Sequence, residues 1–263
     1  MSALPFYLRK RTLVSAISTS AKCQQETLDR PYQAFQRQST LSLMLPVSRT
    51  WEGVHMAEPP PKAVLEAADV SAVSQLILRE RVSRDLGLWE QMRDCYHDDS
   101  VVRISWINAS GPEFVRRSKE MAERNVLASH RIGPILVTLA GDRAIAQLAV
   151  IIDVPFVLNG TEVMLSSHTR LLLRAERREL VWRLLGFDAV YLRDEITPVV
   201  PGQPIALDTD ALKTFRQSYR YLSYCFASAG YPVPNDLAGV DRPDLVDTLV
   251  REIYGWAGLT PPR

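Results

Sequence analysis

Apolar positions in this chain recur first at helical and then at alternating spacing. Val70, Val73, Leu76, Ile77 and Val82 fall on or near one helical face, with Glu80, Arg81 and Arg84 expected outside it. Asp69 or Ser71 is a candidate cap for the start of this helix, and Gly87 marks its end. A short helix is predicted from about Leu88 to Tyr96, with Met92 and either Cys95 or Tyr96 turned inward. His97-Asp98-Asp99-Ser100 reads as a turn with an exposed histidine, and Val101 to Trp106 alternates as a strand. Gly111-Pro112 opens a third helix, where Pro112 costs little because a first-turn N–H has no partner to lose. Phe114, Val115, Met121 and Val126 give that helix its apolar side.

The period then changes to two. Ile135 to Leu139, Arg143 to Phe156, Glu162 to Glu176 and Leu180 to Leu192 read as strands, with turns at Gly141-Asp142 and at the hairpin dipeptide Asn159-Gly160. Pro198, Pro201 and Pro204 close the set. The pattern predicts an α+β domain over residues 61–200, a strongly curved antiparallel sheet wrapped on three helices. Residues 201–263 form a helical C-terminal extension. In it Leu212, Phe215, Tyr219, Leu222 and Phe226 recur at helical spacing, Gly230 to Pro234 interrupts, and Asp244 to Trp256 is a second helix. That aromatic stripe either packs on the sheet or on a partner subunit, or forms a lid over a ligand mouth.

Residues 1–60 differ from the rest. Nothing acidic precedes Glu26, while Arg9, Lys10, Arg11 and Lys22 are basic and serines are frequent. The stretch reads as a disordered leader before a start at Met56, or as an organelle transit peptide. The first reading implies a cytoplasmic protein, the second an organellar one. Pro59-Pro60-Pro61 is a stiff separator.

Charge narrows the function classes. The formal net charge is +1, without the basic excess of a nucleic-acid binder. No apolar run approaches the roughly 18 residues of a membrane span, so no membrane partner is expected. Cys23, Cys95 and Cys225 are far apart and odd in number, which implies neither a disulfide framework nor a metal site. No histidine pair has metal spacing, and the chain lacks a phosphate-cradling glycine loop and a nucleophile elbow. Neither metal nor cofactor is expected.

Five short motifs stand in order: Asp85 four residues before Trp89, Asp98-Asp99 before the first strand, His130 followed by Ile132-Gly133, Gly141-Asp142-Arg143-Ala144, and Val181-Trp182-Arg183. Over residues 66–200 this layout resembles the nuclear transport factor 2-like cone, in its SnoaL-like branch of polyketide cyclases, scytalone and bile-acid dehydratases and hexachlorocyclohexane dehydrochlorinase. The resemblance places the Asp/His dyad of several of these enzymes on Asp85 and His130. It makes Asp153 a candidate third member, near where scytalone dehydratase has a second histidine. It also shows departures, because Arg84 and Trp106 stand where that enzyme has tyrosines.

Such a dyad suits proton removal from carbon. Imidazole titrates near working pH, at about 6.5, and a carboxylate on one ring nitrogen fixes the tautomer that presents the other as a base. Each residue also has a plain structural alternative: an aspartate before a short helix can be a cap or the salt-bridge partner of Arg84, and a lone histidine at a strand start can be a satisfied structural group. Asp153 lies in an apolar strand with Gln147, Ala149 and Ile151 on its face, pointing into a pocket or lying at the strand's rim. His168 and Arg170 share a face, either inside the cone against an anionic or carbonyl group or on a solvated outer face with Arg174 and Glu176. With Trp106 these form the candidate substrate-binding set. The expectation is a cofactor-free lyase or isomerase acting on a small apolar cyclic or polyketide-like molecule, in a chain that can form homo-oligomers. The alternatives are a non-catalytic ligand-binding module, since fold does not fix function, and an accessory subunit beside an oxygenase.

Overall fold

The computed structural model of the chain describes residues 60–231 and 233–262. The leader or early-start reading of residues 1–59, with Cys23, His55 and Met56, lies outside them. The described residues form one compact unit, with those of the C-terminal extension inside it.

Helix α1 (Lys62–Leu86) begins directly after the proline run, with Pro61 at its N-cap position and no side-chain cap. The start expected near Asp69 or Ser71 is therefore too late by about two turns. Asp69 is a mid-helix residue whose carboxylate accepts from Arg177 and from Trp182 Nε1 at 2.8 and 2.9 Å, tying α1 to the sheet. Gly87 ends α1 in the left-handed region at φ 70°, where a side chain would be strained, and α2 (Trp89–Asp94) follows at once. Ser83 Oγ donates to Gln91 Oε1 at 2.8 Å and sets the angle between the two helices.

Seven strands form one sheet: β1 (Tyr96–Ile104), β2 (Ile107–Ser110), β3 (Ser129–Ile132), β4 (Leu136–Ala140), β5 (Arg143–Leu158), β6 (Thr161–Arg178) and β7 (Val181–Pro198). Their spatial order is β2-β1-β7-β6-β5-β3, with β4 also on β5. Every pairing is antiparallel except β1 with β7, which is parallel. The turn expected at His97–Ser100 is an irregularity inside β1, where Tyr96 pairs with Leu184 but Val101 with Gly186. His97 is buried there, contrary to expectation, with Nε2 2.9 Å from the Glu176 carbonyl oxygen. Two further register shifts, at His168/Thr169 and Arg174/Ala175 against β7, supply the bend that curls the sheet.

Helices cover both faces. The main core packs residues of α1, α2 and α3 (Gly111–Glu123) against the inward rows of β5, β6 and β7, and includes Leu222 and Phe226 of α5 (Arg220–Ser228). A second cluster joins Ile145, Leu172 and Val190 on the opposite face to Ile253, Tyr254 and Ala257 of α6 (Pro243–Ala257). The helix expected through Leu212 to Phe226 is instead α4 (Thr209–Lys213), a 3-10 turn and α5. Arg216 lies at that break, donating to the Leu237 and Asn235 carbonyls at 2.6 and 3.0 Å and pairing with Asp241.

Two glycines test this packing in opposite senses. A Cβ on Gly111 would lie 2.6 Å from the buried Tyr96 ring, so Gly111→Ala is expected to cost about 1–3 kcal/mol. Gly255 in α6 has open space around it, so Gly255→Ala is expected to stabilise by roughly 0.5–1 kcal/mol. Denaturant midpoints of the two variants check both signs.

Candidate functional site

The buried stripe of α1 runs Val73, Leu76, Ile77, Glu80, Arg81, Arg84. Those steps of three, one, three, one and three trace one helical face. Glu80, Arg81 and Arg84 are 0, 3 and 6 % exposed, so their expected place outside is corrected: they continue the core stripe into the cone. Charges there need partners, because a low-dielectric interior penalises each one left alone.

Glu80 and Arg81 meet that demand by pairing with each other through two contacts. Tyr96 Oη donates to Glu80 Oε1 at 2.8 Å, and the Arg81 guanidinium lies 4.8 Å from the centre of the Phe187 ring. Burial works against the Arg81 charge, but Glu80 more than restores it. The third contact of Arg81 reaches across to β3, where Nη1 is 3.2 Å from His130 Nε2.

His130 is held from its other side as well. Its Nδ1 lies 2.5 Å from Asp85 Oδ1, and its backbone N–H donates to Asp85 Oδ2 at 2.8 Å. Asp85 stands one helical turn after Arg81, so a single stretch of α1 supplies both contacts to the imidazole. Arg81 can only donate, which makes Nε2 the acceptor and assigns the ring proton to Nδ1, facing Asp85. The ring is 5 % exposed. Burial holds His130 below the ordinary imidazole value, opposed by the Asp85 hydrogen bond and reinforced by the Arg81 and Arg84 charges. Burial would raise the Asp85 carboxyl, but the bonds from His130 hold it below its usual range. The resting pair is a carboxylate and a neutral imidazole.

The ring forms part of the wall of a partly open cavity. Ile104, Ile152, Val154, Phe187, Leu222 and Phe226 make most of its lining apolar. Leu222 and Phe226 bring α5 into the wall, so the aromatic stripe of the extension both packs on the core and faces the cavity. Polar groups enter at Arg81, Arg84, Ser105, Ser167 and Tyr191 besides His130. The Tyr191 hydroxyl accepts from the Ser105 N–H at 2.7 Å, and burial pushes that phenol up to about 12. Trp106 lines the cavity too, its ring 5.5 Å from that of Phe114.

Residues 65–187 match the family model described as the SnoaL-like domain. This stretch is a SnoaL-like domain. An uncharacterized protein of Emericella nidulans is 28 % identical over 168 residues, covering 60 % of this chain and 71 % of its own length. Pea pathogenicity protein 2 of Fusarium vanettenii is 26 % identical over 183 residues, covering 66 % and 78 %. Among solved structures, hexachlorocyclohexane dehydrochlorinase LinA-type3 from Novosphingobium barchaimii is 15 % identical with a TM-score of 0.46, covering 56 % of this chain and 99 % of its own.

Three expected members of the site lie elsewhere in the SnoaL-like domain. Asp153 is on the outer face of β5, because Ile152 and Val154 take the cavity side. Its partner is Arg131 on β3, at 2.7 and 2.9 Å, with Ser166 Oγ at 2.6 Å. Burial favours the protonated acid, but Arg131 and Ser166 keep Asp153 below its usual value. His168 and Arg170 are also outward, His168 facing Glu195 at 3.4 Å and Arg170 exposed, as in the outer-face reading. Missed from sequence were Arg81, Arg84, Ser167 and Tyr191. For the two arginines the signal was present, since they extend the periodicity of Val73, Leu76 and Ile77 unbroken. Among the described residues no cluster of three or more His, Cys, Asp or Glu could hold a metal.

The Glu80–Arg81 pair should behave as a buried ion pair. Glu80→Gln, which strands the Arg81 charge, is expected to cost about 3–5 kcal/mol, and the double change Glu80→Gln with Arg81→Met to recover most of it. Urea denaturation of the single and double variants measures the difference.

Proposed function

We propose that the domain is a cofactor-free enzyme that removes a proton from carbon in a small, largely apolar cyclic molecule, leading to dehydration, double-bond migration or ring closure. One observation carries the reading: His130 is clamped between Asp85 and Arg81 at the wall of a mostly apolar cavity. His130 Nε2 is the base, and Asp85 orients the ring and stabilises the imidazolium once it forms. Arg81 adds an asymmetry. Its charge makes His130 a weaker base at rest and its conjugate imidazolium a readier acid, which suits return of the proton to carbon or to a departing hydroxyl.

A second reading has its own support. Arg81 already occupies the Nε2 lone pair at 3.2 Å, as in a binding module whose histidine is only structural. Exchange of carbon-bound hydrogen separates the two. Enolisable cyclic ketones incubated with the protein in deuterium oxide should lose their α-proton NMR signal faster than in buffer. His130→Ala should slow this by roughly 10²–10⁴-fold with unchanged circular dichroism. Undiminished exchange in that variant rejects the base assignment.

The pH profile follows from the same geometry. Because burial depresses the His130 pKa, the neutral base persists below the ordinary value of about 6.5, and the acid limb of kcat/KM should fall below it. Asp85→Asn removes a group that raises that pKa, so the limb should move lower still while kcat drops. A limb at or above the ordinary value in the parent protein would count against His130.

A further inference from the structure

Two polar groups in the cavity wall are unused by the dyad and by the fold. The Arg84 side chain is 6 % exposed and lines the cavity, and Glu80 and Asp85 act on its charge from nearby without a hydrogen bond or salt bridge among the described residues. The Ser167 hydroxyl, on a residue 1 % exposed, has no partner either. Burial and the neighbouring Arg81 charge bring Arg84 down to about 10, which leaves it cationic at neutral pH. A buried cation with no hydrogen-bond partner among the described residues, in the same cavity wall as an unpartnered buried hydroxyl, is costly for folding alone. Their neighbour Arg81 shows the alternative, a buried arginine fully engaged by Glu80 and His130.

The geometry points to Arg84 and Ser167 as the binding site for the substrate oxygen that becomes an enolate, so that the substrate class is a small ring with a carbonyl next to the carbon that loses its proton. This rests on the proton-abstraction reading above. In the step, the C–H bond breaks and its proton goes to His130 Nε2. The C–H electron pair becomes the new carbon–carbon π bond, and the carbonyl π pair moves onto oxygen. Arg84 N–H groups and the Ser167 O–H donate to that oxygen, where charge develops. The proton then returns from His130 to carbon in isomerisation, or to a departing hydroxyl in dehydration.

A nitrophenol that ionises near neutral pH tests the site without turnover, because its phenolate absorbs in the visible and mimics a planar enolate. The bound probe should ionise at lower pH than the free probe, and phenolate should bind at least tenfold tighter than the neutral phenol. Arg84→Gln should abolish the preference, Arg84→Lys should keep part of it, and Ser167→Ala should weaken it. Arg84→Gln should also raise the thermal midpoint, since it removes an unpaired buried charge; an arginine with a structural role would lower it on removal. His130→Ala should retain the shift in probe ionisation, so the oxyanion site and the base fail or stand separately. An unchanged preference in Arg84→Gln, or no phenolate preference in the parent protein, overturns the proposal.

Discussion

Everything at the site depends on three charged residues carried into the core by one helix. Glu80, Arg81 and Arg84 extend the stripe that Val73, Leu76 and Ile77 begin, so α1 cannot pack without burying them. The cost of burying each charge is large, and mutual attraction offsets it only where geometry and extra hydrogen bonds are good. Glu80 and Arg81 have both, through Tyr96, the Phe187 ring and His130. Arg84 has neither, and that difference between neighbouring arginines divides the stripe into a framework part and a part that faces the cavity.

The sheet is shaped around the same demand. Register shifts against β7 bend the long strands, and the curl brings β3 to α1, so that His130 meets residues 45 and 49 positions earlier in the chain. On the other face α6 covers Ile145, Leu172 and Val190, which explains why those strand centres are apolar on both sides. The helix therefore supplies outer cover, while α5 and the cone's own rows make the cavity wall. An alternation rule applied to β5 alone would assign the inner side to either row; the packing of α6 against Ile145 decides it.

Much of this was legible in the sequence, and the failures have physical causes. The long strands β5, β6 and β7 were read within a few residues of their starts, because hairpin dipeptides such as Asn159-Gly160 fix register locally. Asp85 and His130 were paired by family layout rather than by any local signal, and the structure brings them to 2.5 Å. Glu80, Arg81 and Arg84 were misplaced because charge was given more weight than period. Asp153 was drawn to the site by the family layout, but it pairs with Arg131 of the neighbouring short strand on the outer side of the sheet. β2 and β3 are four residues each, too short to show a period. The start of α1 was missed because its opening turn carries no side-chain cap.

The charges around the cavity bear on how such a site works at all. With His130 neutral, Arg81 and Arg84 balance Glu80 and Asp85, so the group carries no formal net charge before a substrate enters. Moving a proton from a bound carbon acid to Nε2 leaves that total unchanged and separates charge instead. On the proposed mechanism the imidazolium forms against Asp85, and the anion forms on the substrate oxygen assigned to Arg84. A pair of unit charges about 4 Å apart interacts by ~1 kcal/mol in water but by ~4 kcal/mol at an effective dielectric of about 20. Both ends of the separated charge thus meet countercharges already fixed by the helix, in a medium where fixed charges count most. Arg81 keeps the balance from tipping too far, because its charge opposes a long-lived imidazolium. A dyad without it would take the proton more readily and give it back more slowly.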